Sequence, residues 1–200
     1  METDKDLGSY FYIITTEPGT GYIVKASSSD VPPTTASKFT VGAEVIDRSS
    51  GYRYTNIGTI AVPVWDSGIL TKVVNMTAAQ IISNYTTSLE VIPAVPSKAI
   101  ILDSFVYDLT GTATQFSGGG VVNLQYKSTA NGAGTTLHAD IAATVVQNAT
   151  GRVITSRIPK DLSATATADI TGVGVYLGTK SAVFATGTGT AKLIVKYHLI

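Results

Sequence analysis

Short stretches of alternating apolar and polar residues, separated by clusters of Gly, Ser, Thr, Pro and Asn, run almost the whole length of the chain. Tyr10, Phe11, Tyr12, Ile13 and Ile14 precede Glu17, Pro18, Gly19, Thr20 and Gly21, and Tyr22, Ile23 and Val24 follow. This pattern predicts a hairpin closed by a turn, preceded by a polar tail over residues 1–8. Residues 26–37 are rich in Ser, Thr and Pro, and the pair Pro32 and Pro33 favours an extended connection without ladder hydrogen bonds. Val41, Ala43 and Val45 then alternate with Gly42, Glu44 and Ile46. Turns at 47–51 and 56–59 separate this segment from strands at 52–55 and 60–65. The result is a small meander ending near Ser67 and Gly68. A module of about 60 residues has a thin core and leans on something else.

From residue 71 the pattern changes. Thr77, Ala78, Ala79 and Gln80 form a capping-box sequence, and Ala78, Ile81, Ile82 and Tyr85 line one face of a short helix. Strand after strand follows. Residues 89–92 are one. Residues 99–109 are a long one whose alternation slips near Asp103 and Ser104, as at a bulge. Val122, Leu124 and Tyr126 alternate with Asn123, Gln125 and Lys127, which predicts a strand with one wet face. Residues 138–147 fit a short helix and a strand equally. Residues 152–158, 172–177 and 182–185 read as short strands. In the last strand Ala191, Leu193, Val195, Tyr197 and Leu199 point inward and Lys192, Lys196 and His198 mostly outward.

The expected fold is all-β. A small N-terminal β module (1–68), the expected attachment segment, precedes an antiparallel β-sandwich of jelly-roll type with one short helix (69–200). A βαβ fold would need repeated crossover helices, and the chain has none of that length.

Composition narrows the function. Charged residues make up 14% of the chain, and 14 Lys and Arg balance 14 Asp and Glu for a net charge of zero. A nucleic-acid binder needs a basic face to neutralise phosphates, so nucleic acid is not an expected partner. The first six residues are polar and acidic, unlike a secretion signal, and no apolar run is long enough for a membrane helix, so no membrane partner is expected either. Cysteine is absent, which removes disulfides and thiolate metal sites.

Few residues suggest chemistry. His138 and Asp140 lie two apart and share a strand face, but a metal site needs three or four ligands. His198 sits among lysines as a surface residue. Asp103 and Asp108 interrupt an apolar strand and invite comparison with a glycosidase pair, yet alternation points them to opposite faces unless the bulge intervenes. Gly118, Gly119 and Gly120 lack the following Gly-Lys-Ser/Thr of a phosphate loop. Gly187 and Gly189 precede a strand and read as turn glycines. Arg152 and Arg157 flank one strand as a solvated or interface face. No catalytic, cofactor or metal residue is therefore assigned. Tyr52, Tyr54 and Trp65 are the candidates for partner or glycan contact, since jelly rolls present such rings to sugars.

Two stretches carry a resemblance. Gly51, Tyr54, Asn56, Gly58, Thr59, Pro63 and Trp65 match the G-x-x-Y-x-N-x-G-T-x-x-x-P-x-W element of virion proteins of tailed bacteriophages. The order of residues 76–82, 89–94, 98–101, 121–126 and 193–200 is similar to small phage and prophage structural proteins. Many of those have a Pro-Gly-x-Gly-Lys turn where this chain has Val95, Pro96, Ser97 and Lys98. The resemblance covers about 150 residues. It implies a non-enzymatic structural role in the virion: capsid decoration or a head fibre, or alternatively a tail or adaptor component. The expected partners are other virion proteins, chiefly the major capsid protein. A glycan-binding display module is the alternative from a different class. A homotrimer is expected on residues 70–200. Its contact is placed at the 98–127 hairpin, because the uncharged Asn123 and Gln125 face is easier to bury than the lysine-bearing last strand.

Overall fold

The structure, a computed structural model, describes residues 2–3, 12–16, 18, 23–28, 39–48, 51–160 and 170–200. The expected tail beyond Glu2 and Thr3, the turn at 17–21 apart from Pro18, and the 26–37 connection beyond Ser28 lie outside the described residues. The chain divides into two compact units, residues 1–68 with 198–200 and residues 69–197. The last three residues thus group with the N-terminal module rather than with the sandwich expected to run to 200. Within that module the Leu199 amide donates to the Ser67 hydroxyl at 2.8 Å.

The first unit is one six-stranded sheet, ordered as in the chain: β1 (Glu2–Thr3), β2 (Tyr12–Thr16), β3 (Ile23–Ser28), β4 (Phe39–Asp47), β5 (Arg53–Asn56) and β6 (Trp65–Asp66). β2 and β3 form the antiparallel hairpin, and β4, β5 and β6 form the antiparallel meander. β3 and β4 pair in parallel, a relation that alternation cannot reveal. Phe39, Ala43, Val45, Tyr54 and Trp65 are buried. Phe39 meets Trp65 edge to face, with ring centroids 4.9 Å apart.

The second unit is a jelly roll. Its strands are β7 (Leu70–Met76), β8 (Leu89–Ile92), β9 (Ile100–Thr110), β10 (Ser117–Gly118), β11 (Val122–Tyr126), β12 (Thr135–Thr136), β13 (Arg152–Arg157), β14 (Val175–Thr179), β15 (Phe184–Ala185) and β16 (Thr190–Leu199). β10 and β15 make a separate small ribbon. The other eight form two four-stranded sheets, β13-β9-β16-β7 and β12-β11-β14-β8. Numbered in chain order, these eight run 1-8-3-6 in one sheet and 2-7-4-5 in the other. Every connection except β11 to β12 crosses between the sheets, which is the double Greek key of a jelly roll. Ile100, Leu102, Phe105, Tyr107 and Leu109 from one sheet and Val122, Leu124, Tyr126, Val175 and Leu177 from the other are buried. The Tyr126 hydroxyl donates to the Ile100 carbonyl, joining the two sheets across the core. Burial pushes its pKa up to about 12.

Several local features follow the sequence. The Gln80 amide donates to the Thr77 hydroxyl at 3.3 Å and the Thr77 amide to the Gln80 side chain at 2.9 Å, so the capping box opens α1 (Ala78–Ser83). In β9 the buried positions move from Ile100 and Leu102 to Phe105, Tyr107 and Leu109 across Asp103 and Ser104, where the alternation slips. Two features differ from expectation. A second short helix, α2 (Ala143–Gln147), settles the ambiguous stretch. β7 is a strand that alternation hides, because Lys72 occupies the register of Leu70, Val74 and Met76 while Val73 points out with Thr71 and Asn75.

The expected wet face of β11 is covered. Asn123 and Gln125 are completely buried. The Gly-rich segment 128–136 folds over them, with a single 3-10 turn at Ala130–Gly132. Gln125 donates to the Lys127 and Thr129 carbonyls and accepts the Gly134 amide at 3.0 Å. Asn123 donates to the Thr136 hydroxyl. An uncharged polar face is as easy for the chain's own loop to bury as for a neighbour, and here the loop takes it. That removes the reason for placing a trimer contact on these side chains.

Candidate functional site

The 51–65 element of the first unit is a brace built around Asn56. The side chain is completely buried, and both ends of its amide are used. Nδ2 donates to the Thr40 carbonyl at 3.0 Å and the Phe39 carbonyl at 3.2 Å. Oδ1 accepts the Gly58 amide at 3.0 Å and the Val64 amide at 3.1 Å. One side chain thereby ties the start of β4 to both arms of the 57–64 loop. The loop is itself a small hairpin. The Ile57 amide donates to the Val64 carbonyl at 2.8 Å and the Thr59 amide to the Val62 carbonyl at 3.0 Å. The Thr59 hydroxyl accepts the Val62 amide at 3.0 Å, closing a turn at Ile60 and Ala61.

The other motif residues serve the same brace. A Cβ on Gly58 would stand 2.5 Å from the Val62 carbonyl oxygen and 2.6 Å from the Val64 nitrogen, so only glycine lets the arms approach. Pro63 and Trp65 are buried on the inner side of the hairpin. On the outer side Ile57, Val62 and Val64 are 59%, 63% and 45% exposed. Residues directly opposite in a ladder, and residues two apart on one arm, share a face. These three side chains therefore share the outer face. The sequence contains this signal as apolar residues at 57, 62 and 64 alternating with Gly58, Pro63 and Trp65, but without the brace the two sets cannot be told apart.

The structure corrects the aromatic candidates. Tyr54 and Trp65 are 0% and 1% exposed, because alternation on β5 and β6 turns both toward Phe39 and Val45. Buried rings offer no face to a sugar or a partner. Tyr52 alone of the three keeps partial exposure.

In the second unit the titratable candidates are engaged in structure. His138 is fully buried and stacked on Phe105 at 4.8 Å. Its Nε2 accepts the Leu124 amide at 3.0 Å and its Nδ1 lies 2.6 Å from the Ala139 carbonyl. That carbonyl requires the proton on Nδ1, so both nitrogens are used and neither is free for a metal. Burial holds the imidazole below its ordinary pKa. Asp140 is instead paired with Lys180 at 3.0 Å, and Lys180 also donates to the Thr136 hydroxyl. His198 lies half-buried on β16. Gly120 packs against the Lys180 carbonyl so closely that a Cβ would overlap it, and it serves the tight approach of two backbones rather than a phosphate.

Asp103 and Asp108 are five residues apart on β9, roughly 16 Å at the usual strand rise. That is far beyond the spacing of a carboxylate pair in a glycosidase. Asp108 is bound by both oxygens to Arg152, Nε to Oδ1 and Nη2 to Oδ2 each at 2.8 Å. This hydrogen-bonded pairing holds the carboxyl below the usual range, with a further contribution from Lys192. Arg157 donates to the Ser156 carbonyl. A cleft of about 600 Å³ lies beside the Asp108–Arg152 pair, lined also by Asn75, Thr77, Thr190 and Lys192. Its one carboxylate is locked to its guanidinium, and its remaining polar groups are hydroxyls, an amide and an ammonium. Among the described residues no three His, Cys, Asp or Glu side chains come together as metal ligands, and no helix is long and apolar enough to cross a membrane.

Comparison with known proteins adds little. No family model matches the chain, and no curated protein matches it. A solved structure of a glycoside hydrolase family 43 arabinoxylan arabinofuranohydrolase from Bacillus subtilis, in complex with cellotetraose, is similar at 12% identity over 75% of this chain. The match spans 34% of that enzyme, and its TM-score of 0.28 is too low to carry an argument about fold or activity.

Proposed function

We propose that the chain is a non-enzymatic structural protein of a tailed-bacteriophage virion, a capsid decoration or head-fibre protein. The first unit attaches it and the jelly roll is the displayed part. Its partners are other virion proteins, the major capsid protein first among them. It works as a homotrimer in a particle assembled in the host cytoplasm. The observation that carries this reading is the use made of the phage-like element. Asn56, Gly58, Thr59, Pro63 and Trp65 brace a hairpin from within and turn an uncharged apolar face outward. Such a face suits contact with protein and offers nothing to a reaction. The engagement of His138, Asp108 and Asp140 in structural bonds supports the same reading.

Electron microscopy of purified phage particles labelled with antibody against the chain tests it. Label on the heads is the expected result. Label on the tails would move the chain to the tail or adaptor position, and particles without label would overturn the reading.

A further inference from the structure

We propose that the cleft beside Asp108 and Arg152 on the jelly roll binds a sugar that carries one carboxylate, of the hexuronic acid type. The cleft crosses all four strands of the β13-β9-β16-β7 sheet at one end. Arg152 pairs with Thr110 and Lys192 with Asn75, and residues directly opposite in a ladder share a face. Asp108 and Thr110 flank the buried Leu109, and Thr190 and Lys192 flank the buried Ala191. These side chains therefore stand together on the outer face of one sheet, and no loop has to order to assemble them.

Charge selects one part of the ligand. The hydrogen-bonded Arg152 keeps Asp108 ionised, and both carboxylate oxygens are taken by that pairing. One carboxylate set against a guanidinium and the Lys192 ammonium leaves the cleft with a single surplus positive charge. Arg152 spends Nε and one side of Nη2 on Asp108, so its second edge, Nη1 with Nη2, remains for an incoming carboxylate. A carboxylate balances the surplus, whereas a phosphate monoester, at about −1.5 to −2, exceeds it. Hydroxyl chemistry selects the rest. Among the described residues the Thr110 and Thr190 hydroxyls and the Asn75 amide are without a protein partner, and each both donates and accepts, as sugar hydroxyls do. No aromatic ring lines the cleft, so a neutral sugar has no platform to stack on and the carboxylate carries the preference. A volume of about 600 Å³ lies within the usual range for small-ligand sites.

Calorimetric titration and saturation-transfer NMR of the full chain with glucuronic acid test this, with glucose and inorganic phosphate as comparison probes. A Kd of about 1 mM is expected for a ligand of this size, and binding at least about tenfold weaker for glucose and phosphate. Lys192→Gln, at an exposed position, should weaken glucuronic acid about tenfold. Lys196→Gln, on the same strand but outside the cleft, should leave it unchanged. The Asn75 side-chain amide signal should shift as the sugar is added. No binding of glucuronic acid at about 20 mM overturns the site. Equal binding of phosphate overturns the sugar, and equal binding of glucose overturns the carboxylate. Unchanged affinity in folded Lys192→Gln overturns the placement. None of these outcomes touches the proposed virion role, which is carried by the first unit.

Discussion

His138 Nε2 accepts the backbone amide of Leu124 at 3.0 Å, taking the place of a strand carbonyl beside β11. One residue earlier the ladder is ordinary, with the Leu137 amide donating to the Leu124 carbonyl at 2.9 Å. The imidazole thus completes the pairing of Leu124, and it does so only while Nε2 is unprotonated.

Stability should therefore depend on pH through this ring. Burial holds its pKa below the ordinary 6.5, so the unfolded chain takes up a proton at higher pH than the folded one. The contribution is full above about pH 6.5 and is lost as pH falls from there through the folded value. Denaturant titrations at about pH 7.5 and about pH 5 should show the loss. His138→Ala should cost about 3 kcal/mol at the higher pH, from the cavity and the orphaned Leu124 amide, and should flatten the slope. An unchanged slope in the variant would assign it elsewhere.

Asn56→Ala should cost about 3 kcal/mol, because it removes the acceptor of the buried-side Gly58 and Val64 amides and the tie to the start of β4. Gly58→Ala should cost about 2 kcal/mol through the clash with Val62 and Val64. Amide exchange at residues 57–64 should speed up in both variants. Protection left intact there would mean the loop is held by something other than the brace.

Gln125→Leu preserves the bulk of the side chain and deletes its bonds to Thr129 and Gly134. A loss of about 2 kcal/mol is expected. The cover over β11 should open first, seen as faster exchange at the Gly134 amide and new protease cleavage within 128–136. Wild-type resistance would show the segment to be held by its other contacts.

The Asp108 carboxyl should titrate below its usual 3.8, because the hydrogen-bonded Arg152 favours the ionised form. The pair's contribution is present above about pH 4 and lost as pH falls through the lowered value. A carboxyl-carbon NMR titration reads the midpoint directly, and Arg152→Gln should raise it. A midpoint unmoved by that substitution would mean that Lys192 or another charge sets it.

Sequence pattern alone determined what depends on neighbours a few residues away. The capping box at Thr77 and Gln80, the slip in β9 at Asp103 and Ser104 and the alternation of β16 were legible, because a hydrogen bond three residues long or a period of two is written in adjacent positions; the turn expected at 56–59 lies instead at Ile60 and Ala61, and the strand expected over 60–65 is only Trp65–Asp66. The succession of short strands and the scarcity of helix pointed to a jelly roll for the same reason. What the tertiary structure decided is which faces are covered and by what. Asn123 and Gln125 read as wet because polar residues alternate with apolar ones, yet the loop at 128–136 folds back and buries them. Tyr54 and Trp65 read as presentable rings, yet pairing of β4, β5 and β6 turns them inward. The parallel pairing of β3 with β4 leaves no mark in periodicity at all. Asn56 shows the division most plainly. Its place in a turn-like motif is visible in the chain, but the carbonyls of Phe39 and Thr40 that make it a brace lie 17 and 16 residues away, and only folding brings them within its reach.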